Sequence, residues 1–143
     1  MKKIAQKALD DLEFGVVLEQ AALRCITALG KARMMTTMPL VDIVGVKKAL
    51  LRTNEYAISF SEEKPIPNHG FEDVSEELSL LDVENSKIEV EGFRKLLLLV
   101  ETANTIIAFL KKNKDRYPTL FDSTYGQVPI NCLLYTSPSP RDH

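Results

Sequence analysis

The chain has 143 residues, of which 45% are hydrophobic and 27% are charged, and its formal net charge is -2. This length and composition predict one globular domain with an apolar core and exclude wholesale disorder. The near-balanced charge gives no argument for nucleic-acid binding, although a small basic face is compatible with it.

The N-terminal residues and the most apolar stretch of the chain both bear on the cellular location of the protein. The N-terminal lysines are followed by Asp10, Asp11 and Glu13 rather than by the long apolar run of a signal peptide. The most apolar stretch, residues 96–110, is interrupted by four polar residues and is too short and too polar to span a bilayer. We therefore expect a cytoplasmic protein without a membrane partner.

Apolar periodicity predicts a first helix over about Leu12 to Ala28. A second helix is predicted over about Ala28 to Thr36, either capped by Thr27 or continuous with the first through a bend at Gly30. Pro39 is expected to end this segment, because proline lacks the N–H that a helix interior requires. Met34, Met35 and Met38 are interpreted as packing residues rather than a binding groove.

A third helix is predicted over about Asp42 to Phe60, and residues 61–70, rich in proline and charge, are predicted to form a surface loop. The helix has apolar or small residues at spacings of three and four, which predicts that this seam faces a core. The seam consists of Ile43, Val46, Leu50, Thr53, Ala57 and Phe60.

Two further helices complete the predicted all-α fold, an irregular bundle of about five helices. Asp73 and Glu76 form a plausible capping pair for a short fourth helix with Val74, Leu78 and Leu81 facing inward. The fifth and longest is predicted over about Glu89 to Lys114 and is expected to stop at Pro118. Its leucine run at 96–99 predicts burial on more than one side, and a short strand at 88–91 is a minor alternative.

The sequence contains no catalytic or cofactor motif. His69 lies in a loop with no cysteine nearby and is interpreted as a turn residue, and Cys25 as a small core residue. The six glycines are isolated, so no phosphate-binding loop is predicted. The one basic cluster contains Lys111, Lys112 and Lys114, which are interpreted either as a solvated helix end or as a nucleic-acid contact.

The C-terminal segment "CLLYTSPSPRD" differs from everything before it. Codons for residues 132–142 can be chosen that match, without a gap, the end of a transposase-based sequencing adapter. Ser-Pro-Ser-Pro also disfavours both helix and central strand. We therefore expect residues 132–143 to be a non-native tail, residues 1–131 to be an incomplete native part, and the native chain to continue past Asn131.

The order of motifs in the first third of the chain resembles the start of a MutS-type protein. The resemblance rests on "LEFGVVLEQAALRCITALGKARMMTTMP". It has the opening Leu-Glu-Phe, the alanine- and cysteine-containing stretch, the Thr-x-Leu-Gly-Lys turn and the following proline of that family. "LLRTNEY" and the helix ending "FLKKNKDRYPTL" fit the elements that come next. The similarity is to the bacterial second-branch MutS paralogue that carries a C-terminal Smr endonuclease domain.

This resemblance implies a function for a longer parent protein. Such proteins are homodimeric ATPases, with a helical core and lever, that suppress recombination on branched DNA or rescue collided ribosomes. ATP, magnesium and the nuclease residues belong to parts expected beyond Asn131, and no catalytic, cofactor or metal residue of the family maps onto this chain. The implied partners are the rest of its own chain, a second subunit, and DNA or the ribosome.

Two other hypotheses compete with the MutS-like module. A stand-alone helical adaptor would bind a partner protein through an exposed apolar face. A small enzyme is the third, but no site assembles from the motifs. An open reading frame that continues past codon 131 into a phosphate-binding loop would favour the MutS-like module over the adaptor.

Overall fold

A computed structural model describes residues 3–125, and every regular element in this part of the chain is an α-helix. The predicted all-α class is confirmed, with seven helices in the described residues and no strand at 88–91. The helices are α1 (Gln6–Asp11), α2 (Phe14–Ala22), α3 (Ala28–Met35), α4 (Ile43–Ser59), α5 (Ser75–Leu81), α6 (Val90–Lys112) and α7 (Pro118–Asp122). The chain divides into two compact units between Pro65 and Ile66.

Side-chain caps fix the starts of α3 and α4. The Thr27 hydroxyl oxygen accepts a hydrogen bond from the Gly30 N–H at 3.0 Å, and Asp42 Oδ1 accepts one from the Gly45 N–H at 2.6 Å. Each bond satisfies a backbone donor that the helix leaves unpaired. Of the two predicted alternatives at Thr27, the capped second helix is therefore the one observed.

The predicted first helix is wrong in its bounds. Of the first two helices only α2 lies within the predicted range, and α1, which precedes it, was not predicted. Glu13 between the two helices adopts the left-handed conformation, with φ 53° and ψ 37°. This conformation cannot continue a right-handed helix. At the other end the helix stops at Ala22, so Cys25 lies in the connection, where it is half-buried rather than in the core.

In the first unit, α2 packs against both α1 and α3, and Leu9 and Ala22 are the buried apolar residues. α4 follows the predicted bounds to within one residue but lies apart from its neighbours. No Cα atom of α4 comes within 8 Å of a Cα atom of α1, α2 or α3.

The predicted core-facing seam of α4 is wrong. Ile43, Leu50 and Phe60 are exposed by 60% or more of their surface, and Thr53 and Ala57 are exposed as well. Ser59, outside that seam, is completely buried, and its hydroxyl donates to the Tyr56 carbonyl oxygen at 2.7 Å. Apolar spacing therefore identified the helix but not its covered face.

In the second unit, α5 packs against the start of α6, and the predicted capping pair is not formed. The Asp73 carboxylate instead accepts hydrogen bonds from the Ser75 N–H and hydroxyl at 3.0 and 2.6 Å. Val74 is buried as predicted, but Leu78 and Leu81 are 48% and 61% exposed, so their inward placement was wrong.

α6 is the longest helix, and its leucine run at 96–99 is half-buried except for Leu98, which is 38% exposed. It ends at Lys112 with Asn113 as its C-cap, two residues before the predicted end at Lys114. Pro118 is instead the first residue of α7, a position where the missing N–H costs nothing. None of the helices between residues 3 and 125 combines the length and the apolar run needed to cross a membrane.

Candidate nucleic-acid interface

The predicted contact lysines lie together at the C-terminal end of α6. Lys111 and Lys112 occupy its last turn, and Lys114 follows the C-cap residue. All three are exposed, and the exposed Arg116 extends the same run of cations. We call Lys111, Lys112, Lys114 and Arg116 the basic turn.

Local hydrogen bonds fix the backbone of the basic turn. The Asn113 side-chain amide donates to the Phe109 carbonyl oxygen at 2.8 Å, which satisfies one of the last acceptors of α6. The Asn113 carbonyl oxygen in turn accepts from the N–H groups of Arg116 and Tyr117 at 3.0 and 2.9 Å. Hydrogen bonds made by the side chain and the main chain of Asn113 therefore hold the turn.

An aromatic pair lies under the same turn. The rings of Phe109 and Tyr117 stack with centroids 6.0 Å apart and an interplanar angle of 25°, and Tyr117 is only 2% exposed. Burying this ring joins the end of α6 to the start of α7. This aromatic support was not predicted from the sequence, although a Tyr-Pro pair directly after a basic helix end is a signal for a new helix.

The lysine charges of the basic turn are open to solvent. Within residues 3–125, Lys111, Lys112 and Lys114 form no salt bridge. Lysines at a helix C-terminus interact favourably with the helix dipole, so their position also has a purely local explanation. The same exposed ammonium groups suit the phosphates of a nucleic-acid backbone. The carboxylate of Asp115, which lies between Lys114 and Arg116 in the sequence, reduces the local positive charge.

A second charged cluster lies near the other end of α6. Arg94 pairs with Glu72 and with Glu91, with nitrogen–oxygen distances of 2.6 Å for each pair. Hydrogen bonds from Arg94 lower the pKa of Glu91, and the two carboxylates raise the pKa of Arg94. Arg94 is thus paired with carboxylates of its own chain, and because these side chains are about half exposed or more, the pairs contribute little to stability.

The contact between α5 and α6 is tighter than this exposed cluster. Glu77 is buried, with its Oε1 3.4 Å from Lys95 Nζ. Opposite it lies Gly92, where an added Cβ atom would come within 2.8 Å of Glu77 Cγ. A glycine is therefore needed for this close approach of the two helices.

The other residues singled out by sequence do not assemble into a site. His69 is half-buried, with its Nδ1 3.0 Å from the Pro67 carbonyl oxygen, and Cys25 Sγ lies 3.7 Å from the Ala21 carbonyl oxygen. Met34 is half-buried, whereas Met35 and Met38 are 42% and 56% exposed and line a cavity of about 190 Å³ beside α1 and α2, contrary to the packing role predicted for them.

A metal site would need several histidine, cysteine or carboxylate side chains grouped in space. In the part of the chain that the structure describes, no three histidine, cysteine or carboxylate side chains group as metal ligands. Cys132 and the predicted tail at 132–143 lie outside the described residues.

No protein-family model matches the chain, and no curated protein or solved structure is found to be similar to it. The function is therefore argued from the residues and their arrangement.

Proposed function

We propose that this chain is the helical N-terminal module of a MutS-type homodimeric ATPase of the branch that carries an Smr endonuclease domain. The observation that carries the proposal is the apolar surface left uncovered. Among the described residues, five apolar side chains are buried, whereas 24 large ones are exposed. Surfaces of this kind mark sites where further protein packs.

The order of family-like motifs supports the choice of parent. The residues of the opening Leu-Glu-Phe lie at the start of α2, and the Thr-x-Leu-Gly-Lys turn supplies the Thr27 cap of α3. The all-helical content agrees with a core and lever made of helices.

α6 would serve as the lever in this proposal. With 23 residues it is about 35 Å long, and it is fastened to α5 near its start and to α7 at its end. A helix held at both ends moves as a stiff body, which is what transmission between a nucleotide site and a nucleic-acid clamp requires.

ATP and magnesium do not fit the residues of this chain. Its glycines are isolated, and the described residues offer no cluster of metal ligands. In the parent, both would be held by segments beyond Asn131, so no step of hydrolysis or DNA cleavage is assigned to this chain. The substrate of the parent would be a DNA junction in recombination or a collided ribosome in translation.

The direct test of the proposal is to read the natural locus. Genome walking outward from codons 1–131, in the DNA that yielded the sequence, should recover a frame that continues for several hundred codons. That frame should encode a glycine-rich phosphate loop followed by Lys and Ser or Thr. A stop codon soon after codon 131 would refute the MutS-like module and favour the stand-alone helical adaptor. The observation that supports the adaptor is the exposed apolar face of α4.

The basic turn gives a second test, through its contribution to DNA affinity. Replacing Lys111, Lys112 and Lys114 together with glutamine should weaken binding of a labelled four-way DNA junction, measured by fluorescence anisotropy. The slope of log K against log salt should fall by about 2 to 3, because up to three phosphate contacts are lost.

A matched triple variant controls for net charge. Lys7, Lys31 and Lys48 are exposed lysines of the first unit, and changing these three to glutamine removes the same charge from a different surface. This control should keep both affinity and salt slope. Equal losses in the two triple variants would show that the basic turn is not the contact surface.

A further inference from the structure

α4 carries an apolar stripe that the helices of its own unit leave open. Its large apolar members are 44% to 67% exposed, and a shallow groove runs between its central residues Lys47, Leu50, Leu51 and Asn54. The stripe, called here the α4 stripe, consists of Ile43, Lys47, Leu50, Leu51, Asn54 and Ile58. We infer that a second copy of this chain covers the α4 stripe by packing its own α4 in the antiparallel direction.

The stripe is complementary to itself. At about 100° per residue its six positions fall within an arc of roughly 100° on one side of the helix. They are also arranged symmetrically about the midpoint between Leu50 and Leu51. A twofold axis at this midpoint sets Leu50 against Leu51, Ile43 against Ile58 and Lys47 against Asn54 of the second copy, as a closed two-subunit interface requires.

Lys47 and Asn54, the two polar residues of the α4 stripe, determine the direction of the second helix. In the antiparallel arrangement the Lys47 ammonium donates to the Asn54 side-chain oxygen, and this pair forms twice. In a parallel arrangement Lys47 faces Lys47, and the like charges repel. Polar residues at core positions of paired helices set register and orientation at some cost in stability. Lys47 and Asn54 therefore favour the antiparallel dimer.

The size of the stripe indicates a reversible dimer. A helix of 17 residues is about 26 Å long, so one helix pair buries less than the roughly 1,600 Å² of a standard protein interface. A dissociation constant in the micromolar range is expected. This inference concerns the chain itself and does not rest on the proposed MutS-like parent.

Sedimentation equilibrium of the full 143-residue chain tests the inference. The wild-type chain should show a monomer–dimer equilibrium, and Asn54→Lys should weaken it by at least about tenfold, because Lys47 then meets a lysine at both symmetric contacts. Thr53→Lys is the matched control, since it adds the same charge at an exposed position outside the α4 stripe. It should leave the dimer intact.

A charge-swapped double variant distinguishes the two directions. Lys47→Glu combined with Asn54→Lys should restore dimerisation, because the introduced glutamate then faces the introduced lysine of the second copy only when the helices are antiparallel. Both positions are exposed, and an unchanged circular dichroism spectrum should confirm that each variant folds. A wild-type chain that stays monomeric at roughly 0.5 mM, equal weakening by Asn54→Lys and Thr53→Lys, or a double variant without recovery would each overturn the inference.

Discussion

α6 and α4 are the two longest helices of the described chain, and they are held in place by different means. α6 is fastened near its start by Lys95 and Gly92 against Glu77, and at its end by Tyr117 stacked on Phe109. α4 has a side-chain cap but no helix of its own unit alongside it.

The comparison shows that amphipathic spacing predicts a helix but does not predict which element packs against its apolar face. Both helices have apolar residues at helical intervals, yet the predicted seam of α4 is exposed. The covered face of a helix depends on what packs against it, which its own periodicity does not encode. Substitutions in matched places on the two units can measure this difference.

The largest difference in unfolding free energy is expected between substitutions in the two aromatic pairs, Phe109–Tyr117 and Tyr56–Phe60. Tyr117 is 2% exposed, so Tyr117→Ala should destabilise the second unit by about 3 kcal/mol through lost burial and the cavity left behind. Phe60 contacts Tyr56 edge-on with centroids 4.9 Å apart but is 60% exposed, so Phe60→Ala should cost less than about 1 kcal/mol. Urea unfolding followed by circular dichroism measures both, and equal losses would show that the buried stack does not anchor α6.

Two glycines give the next contrast. At Gly92 a side chain would meet Glu77 Cγ at 2.8 Å and Ile88 Cγ2 at 3.2 Å, so Gly92→Val should cost about 2 kcal/mol by forcing α5 away from α6. At Gly15, in α2, nothing lies within 4 Å of an added Cβ atom. Gly15→Ala should therefore stabilise its helix by up to about 1 kcal/mol, since alanine favours helix over glycine. A stable Gly92→Val variant would mean that the helices are not in close contact there.

The parts of the fold that local chemistry determines could be predicted from sequence. Thr27 and Asp42 identified the starts of α3 and α4, because a cap acts on backbone groups a few residues away. α1 and the left-handed residue Glu13 were missed, because the apolar pattern that predicted the first helix starts at Phe14 and reports nothing about the backbone before it. α7 was missed because Pro118 was interpreted as a stop rather than as a first helical residue.

The candidate site was predictable in part for the same reason. Lys111, Lys112 and Lys114 share one helix end, so their proximity follows from the sequence alone. The support beneath them depends on the chain reversing at Asn113, which brings Tyr117 back onto Phe109. The enclosure of Glu77 between α5 and α6 likewise depends on a contact between segments far apart in the chain.

The smallest effect is expected in acid, at the exposed ion pairs that Arg94 of α6 forms with Glu72 and Glu91. Hydrogen bonding to Arg94 holds the pKa of Glu91 below its ordinary value of 4.5. A carboxyl group whose pKa is lowered by folding stabilises the native state above its unfolded pKa, and this contribution is lost as pH falls through the folded pKa. Stability should therefore begin to fall below about pH 4.5 as Glu91 takes up a proton.

Arg94→Gln should make that acid-induced loss shallower, because Glu91 then titrates near its ordinary value in both states. The urea midpoint, measured between about pH 5 and pH 3, reports the slope. Arg33→Gln is the matched control on α3, where the arginine forms no salt bridge with a described residue, and it should keep the wild-type slope. The pairs are exposed, so salt at about 0.5 M should bring the Arg94→Gln and wild-type curves together. Identical slopes at low salt would show that Arg94 does not couple to Glu91 in solution.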